Sequence, residues 1–158
     1  MSVEIASFGA GCFWGVEAAF AALPGVSQTT VGYMGGSSDN PTYKEVCSDN
    51  TGHAEVVQVR FDPDRIGYAE LLKRFFELHD PTQLNRQGPD VGRQYRSVIF
   101  YYDDAQRQLA EQAKSVEDQS GRYSAPVVTE LVAAPIFYPA EAYHQQYLAK
   151  RGLASCSL

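Results

Sequence analysis

Residues 11–15 read GCFWG, and this pentapeptide joins two segments of different hydrophobic period. The segment before it alternates as a β-strand does, through Val3, Ile5, Ser7 and Gly9. After it, apolar residues recur at helical spacing: Phe13, Val16, Phe20 and Leu23. Cys12 is therefore predicted at a glycine-flanked strand-to-helix turn, where unpaired N–H groups and the helix dipole favour a thiolate. We interpret Cys12 as a reactive nucleophile; the alternative is a small buried core residue.

Five further motifs follow along the chain, in this order: NPTYKEVC at 40–47, GHAE at 52–55, GPD at 88–90, QYRS at 94–97 and HQQYL at 144–148. Together with GCFWG, and over roughly residues 5–156, they resemble the peptide methionine sulfoxide reductase A family. The resemblance implies thiol-dependent reduction of methionine S-sulfoxide, free or within peptides and proteins. It also implies thioredoxin as the electron donor and no cofactor.

Composition limits the classes of function. The 158 residues suit a single domain, 1–158, and the net charge of -6 comes without a basic cluster that would bind nucleic acid. No apolar run is long enough for a membrane span, and no secretion leader is recognisable. Three cysteines without framework spacing favour a reducing compartment, the cytoplasm, and we expect a monomer. The three histidines lack ligand spacing, so no metal site is predicted.

Periodicity and turn signals predict an α+β fold. We expect strands over 3–9, 26–33, 54–61, 95–102 and 127–133, and helices from 13, over 43–47, 64–79 and 104–119, and from 139 to about 150. A long loop, 81–92, is unusual enough in a compact domain to suggest function. Short strands mixed with helices predict a two-layer sandwich with helices packed on a mixed sheet. The resemblance implies the same, a ferredoxin-like plait with additions.

A sulfoxide needs an acid as well as a thiolate, because its oxygen leaves poorly unless it is protonated. Glu55 begins the face formed by Val57, Val59 and Phe61, so its side chain is predicted to point inward, where desolvation raises the pKa of a carboxyl. A raised pKa suits a general acid near neutral pH. The alternative is a solvated residue at a strand end. The resemblance places the family's acid at Glu55.

The resemblance assigns further site residues. Tyr43 and Tyr95 carry over as hydrogen-bond donors to the sulfoxide oxygen, and Asp90 as an aspartate near the substrate. From the residues alone, packing explains either tyrosine and a turn explains Asp90. Phe13 and Trp14 would form the slot for the methyl group, while core packing explains Phe13 equally well because it lies on the apolar stripe of the helix. Trp14 lies about 100° round the helix from Phe13, off the core stripe, so a ligand explains this only tryptophan better than packing does.

Cys156 matches the family's first resolving cysteine, twelve residues after His144, and lies in a tail, 153–158, that we expect to be mobile. Attack by Cys12 would leave a sulfenic acid that condenses with Cys156 to a disulfide. Many relatives carry a second C-terminal cysteine further on, and this chain has none. We interpret Cys47 as structural, and His79 and His144 as surface or packing residues.

Two other classes remain open from the residues alone. A cysteine hydrolase or acyltransferase would need a histidine base beside the thiol, and His53 is the nearest candidate. A redox-controlled module that binds peptides without turnover is the third possibility.

Overall fold

The computed structural model describes residues 3–48 and 50–152. Within these ranges the chain forms eight strands: β1 (Glu4–Ala10), β2 (Val26–Met34), β3 (Ala54–Phe61), β4 (Arg86–Gln87), β5 (Asp90–Val91), β6 (Ser97–Tyr101), β7 (Glu130–Ala133) and β8 (Tyr138–Pro139). Five α-helices accompany them: α1 (Phe13–Ala21), α2 (Tyr43–Cys47), α3 (Tyr68–Glu77), α4 (Asp104–Asp118) and α5 (Tyr147–Lys150). None of these helices has the length and apolar character that crossing a membrane requires.

Six strands form one mixed sheet in the order β7-β6-β1-β3-β2-β8. Its central four strands, β6, β1, β3 and β2, pair antiparallel, with α1 linking β1 to β2 and α3 lying between β3 and β6 in the chain. This is the ferredoxin-like plait that was predicted. β7 extends the sheet in parallel beside β6, and β8 extends it antiparallel beside β2.

The main core lies between one face of the sheet and helices α1, α3 and α4. The predicted inward face of β3, formed by Val57, Val59 and Phe61, is confirmed. On β1, the residues that enter this core are Ala6, Phe8 and Ala10. The strand is central and buried on both faces from Ala6 onward, so its sequence lacks the polar alternation that marks a core face.

The predicted helix from 139 to about 150 is wrong. Pro139 instead lies in the edge strand β8, where the missing N–H of proline costs no ladder hydrogen bond. A short 3₁₀ turn, Ala142–His144, follows. The left-handed backbone of Gln146, with φ 50°, separates that turn from α5. The 127–133 strand likewise begins only at Glu130, and the 64–79 helix is confined to Tyr68–Glu77.

Candidate active site

Cys12 caps the N-terminus of α1, directly after the end of β1. The preceding Gly11 has a φ of 102°, which turns the chain from strand to helix and which side-chain-bearing residues rarely adopt. A Cβ on Gly11 would lie 2.9 Å from Cγ of Gln87, so the 81–92 loop packs tightly against this turn. Cys12 is half-buried, and the start of α1 favours negative charge on its sulfur.

Glu55 lies in β3, opposite Tyr33 of β2, and its side chain is 1% exposed. The backbone N–H of Phe13 donates to its Oε1 at 3.2 Å, which brings the carboxyl against the first turn of α1. Burial raises the pKa of Glu55 to about 8; the charge of Asp90 also raises it, while the Phe13 hydrogen bond opposes the shift. Its Oε2 is buried and has no hydrogen-bond partner within residues 3–48 and 50–152.

The hydroxyls of Tyr43 and Tyr95 lie near this carboxyl. Burial raises the pKa of both groups, and the negative charge of Glu55 raises it further, so both hydroxyls stay protonated as donors. Tyr43 opens α2, where its backbone N–H donates to Oε2 of Glu141 at 3.0 Å. Tyr95 lies in a 3₁₀ turn, Arg93–Tyr95, just before β6, and not in the strand predicted to begin there.

Cys47 occupies an unexpected position. It is exposed, and its thiol lies close enough to Tyr43 and Tyr95 that both hydroxyls lower its pKa, against the larger rise that burial causes. The interpretation of Cys47 as a structural residue did not predict that a second thiol would lie beside Tyr43 and Tyr95. The helical spacing from Tyr43 to Cys47 carried that information, since residues four apart share one face of a helix.

Trp14 is half-buried at the edge of the core, as its position off the helical stripe predicted. Tyr147 stacks on its ring at a centroid distance of 3.9 Å and an interplanar angle of 8°. The indole N–H donates to Nδ1 of His144 at 3.0 Å. Phe13 is fully buried, with its ring centroid 5.4 Å from that of His144. These four rings form an aromatic wall beside Cys12.

Asp90 lies in a small hairpin formed by β4 and β5, which gives the 81–92 loop a structure that was not predicted. The residue is half-buried, and its charge acts on both Glu55 and Tyr95. The structure therefore brings seven of the eight predicted site residues into one region. The eighth, Cys156, lies outside the described residues.

Comparison with known proteins identifies the chain. The sequence profile of the family described as Peptide methionine sulfoxide reductase matches residues 4–158. The chain belongs to this family. It is 59% identical over 155 residues to Peptide methionine sulfoxide reductase MsrA of Geobacter metallireducens, covering 98% of this chain and 96% of the relative. The MsrA of Methanothermobacter thermautotrophicus is 58% identical over 155 residues, covering 98% and 92%.

Two solved structures are also similar. The crystal structure of Mxr1 from Saccharomyces cerevisiae in reduced form has a TM-score of 0.88 and 35% identity, and covers 95% of this chain and 86% of that one. The structure of Mxr1 in complex with Trx2 has a TM-score of 0.63 and 25% identity, with 92% and 84% covered. The fold is therefore that of the peptide methionine sulfoxide reductase family.

The contacts of His53 distinguish the reductase from the cysteine hydrolase or acyltransferase. Both ring nitrogens of His53 are engaged, Nδ1 by the N–H of Gly36 at 2.9 Å and Nε2 by the carbonyl of Ser38 at 2.7 Å. His53 is therefore not available as a base for Cys12. This disfavours the cysteine hydrolase or acyltransferase that the sequence left open. Residues 3–48 and 50–152 contain no cluster of three metal-ligating side chains.

Sequence reasoning missed three residues that contact members of the candidate site. His144 was regarded as an ordinary packing or surface residue, yet it is 1% exposed and bonds Trp14. Tyr147 and Glu141 were not singled out at all. The sequence feature that could have indicated these residues is the HQQYL motif and its surroundings. This segment lies beside α1 only because β8 pairs with β2, which is distant in sequence.

The burial of Glu55 predicts a pH dependence of stability. Because its pKa is raised on folding, Glu55 stabilises the fold below its unfolded pKa, and this contribution is lost as pH rises towards about 8. The free energy of unfolding of the wild type, measured in urea relative to Glu55→Gln, should therefore fall by about 1.4 kcal/mol per pH unit in this window. A difference between the two proteins that is constant from pH 5 to pH 8 would show that Glu55 is ionised in the fold.

Proposed function

We propose that the chain reduces methionine S-sulfoxide, free or in peptides and proteins, to methionine, with Cys12 as the nucleophile and Glu55 as the acid. The observation that carries this proposal is the buried carboxyl of Glu55, which contacts the first turn of the helix that Cys12 caps. Membership of the peptide methionine sulfoxide reductase family supports the reaction and the substrate class.

The neutral carboxyl of Glu55 suits the first half of the reaction. One oxygen accepts the N–H of Phe13, so the proton resides on Oε2, the oxygen without a hydrogen-bond partner in the described chain. As the Cys12 thiolate attacks the sulfoxide sulfur and forms an S–S bond, Glu55 transfers this proton to the sulfoxide oxygen. The resulting hydroxyl then passes from the substrate sulfur to the Cys12 sulfur while the S–S bond breaks, which leaves methionine and a sulfenic acid on Cys12. Two electrons move from Cys12 to the substrate, and Glu55 regains its proton from water.

Three further contacts orient the sulfoxide. Tyr43 and Tyr95 donate hydrogen bonds to its oxygen, which their protonated hydroxyls permit at any physiological pH. Phe13 and Trp14 receive the methyl group, and Asp90 lies near the remainder of the substrate. The positions of these residues around Glu55 support the assignment, and a methyl slot is worth roughly tenfold to a hundredfold in discrimination.

The second half of the reaction regenerates the thiol. Cys156 condenses with the sulfenic acid of Cys12, forming a Cys12–Cys156 disulfide and releasing water. The dithiol of thioredoxin then reduces this disulfide by exchange. The complex of yeast Mxr1 with Trx2 supports this electron donor. We propose a single catalytic domain, 1–158; the tail at 153–158, which was expected to be mobile, lies outside the described residues.

The cysteine content bears on the cell compartment of the protein. Three cysteines at spacings that suit chemistry rather than cross-linking support a cytoplasmic protein, and we propose that it acts as a monomer without a cofactor. Light scattering after size-exclusion chromatography tests the oligomeric state; a mass of twice 17.4 kDa would contradict it.

The assay that tests the function separates methionine from each sulfoxide epimer by reverse-phase chromatography, with dithiothreitol as the reductant. The wild type should consume the S epimer alone. Cys12→Ser should lower turnover by about a thousandfold or more, because a serine hydroxyl is a far weaker nucleophile than a thiolate. Cys47→Ser is the matched control and should retain turnover. Sulfoxide bound but recovered unchanged by the wild type would favour a binding module.

The resolving step is tested by Cys156→Ser. This variant should still release about one methionine per enzyme without reductant, because the first half of the reaction needs only Cys12. It should stall when thioredoxin is the only reductant, since a sulfenic acid offers no disulfide to exchange. Turnover with thioredoxin at the wild-type rate would contradict the role of Cys156. The double variant Cys47→Ser, Cys156→Ser would then test whether Cys47, beside the two site tyrosines, replaces it.

A further inference from the structure

Glu17 is a buried carboxylate that the proposed reaction does not use. It lies in α1, on the turn after Trp14, and is 2% exposed. Its two oxygens accept three hydrogen bonds, each 2.8 Å long. Oε1 accepts the backbone N–H of Gln146, while Oε2 accepts the side-chain amide of Gln146 and the hydroxyl of Thr29. A carboxylate enclosed by three donors holds those donors in place, because each would otherwise be buried without a partner.

The residue held most firmly is Gln146, whose backbone is unusual. Its φ of 50° is left-handed, a conformation that glutamine rarely adopts and that persists only where the surroundings enforce it. Glu17 supplies that enforcement by bonding both the main chain and the side chain of Gln146. The side-chain amide also donates to the carbonyl of Thr29 at 3.0 Å, so α1, β2 and the start of α5 meet at this point.

The two residues that hold Trp14 flank Gln146 in sequence. His144 precedes it and accepts the indole N–H, and Tyr147 follows it and stacks on the indole ring. Trp14 and Glu17 lie on the same helix, so the contacts form a closed circuit from α1 through Gln146 to Tyr147 and back to Trp14. Gln145 separately binds Val31 of β2 through both its amide oxygen and its amide nitrogen. These bonds to β2 attach the segment to the sheet independently of Glu17, whereas Glu17 joins it to α1 through Gln146.

We propose that Glu17 is a positioning residue that fixes the indole of Trp14 by holding residues 144–147 against α1, and so sets the shape of the methyl slot. The existence of a methyl slot rests on the proposed function, whereas the contacts of Glu17 and Trp14 do not. Replacing the carboxylate by an amide leaves too few acceptors for the three donors, so the segment shifts and the Tyr147 ring separates from Trp14. Binding of substrate then weakens while Cys12 and Glu55 remain in place.

The test uses Trp14 as its own reporter, since it is the only tryptophan in the chain. In Glu17→Gln, the fluorescence emission maximum of the substrate-free protein should shift to longer wavelength as the indole becomes more exposed. The KM for methionine S-sulfoxide should rise by about tenfold with kcat within about twofold, the pattern of lost binding rather than lost chemistry. Thr29→Val is the matched control: it removes one donor from the same carboxylate, leaves both contacts to Gln146, and should leave emission and KM close to wild type.

A second variant covers the case in which Glu17→Gln does not fold. Gln146→Asn tolerates the left-handed backbone but shortens the amide away from Glu17, and should shift emission and KM in the same direction by less. Wild-type emission and KM in a folded Glu17→Gln would overturn the proposal, as would an equal shift in Thr29→Val. If the wild type itself shows no sulfoxide reduction, the proposed function fails, whereas the emission shift still decides the role of Glu17.

Discussion

The hydrogen bond from the N–H of Phe13 to Oε1 of Glu55, 3.2 Å long, is the constraint on which this site depends. It joins the first turn of α1 to β3, a central strand, and so fixes the position of Glu55, the proposed acid, relative to Cys12, the proposed nucleophile. The same contact leaves Oε2 as the carboxyl oxygen without a hydrogen-bond partner in the described chain, and we place the proton of the neutral acid there. Burial provides the other requirement by raising the pKa of Glu55 to about 8. In the proposed reaction, the rigid elements of a ferredoxin-like plait thus hold a buried carboxyl with a raised pKa beside a helix start that favours a thiolate.

The aromatic wall next to Cys12 follows from a different part of the chain. β8 adds to the sheet beside β2, and the residues after it return across α1. Gln145 binds the sheet and Gln146 binds Glu17, which leaves His144 and Tyr147 against the indole of Trp14. The proposed methyl slot therefore combines two segments far apart in sequence. Glu17, a carboxylate that the proposed reaction does not use, connects them.

Residues with strong local signals could be placed from sequence. Cys12 was located by its glycine-flanked turn, and Glu55 by the alternation of β3, because both patterns depend on neighbours a few residues away. The helix predicted from Pro139 failed because proline suits an edge strand as well as a helix start. Only the pairing of β8 with β2, across more than a hundred residues, decides between them. His144 was missed for the same reason, since nothing near it in sequence shows that Trp14 is its partner.

The claim that a neutral, buried Glu55 supplies the proton is tested most directly by single-turnover kinetics. The rate constant for methionine formation would be measured from pH 6 to pH 10 in the wild type and in Glu55→Gln. We expect the wild-type rate to decline as pH rises through about 8, where the carboxyl ionises. We expect Glu55→Gln to be slower by about a hundredfold and to lack this decline, because glutamine has no proton to transfer. A variant with the wild-type rate and the same decline at high pH would contradict the account and assign the proton to another group.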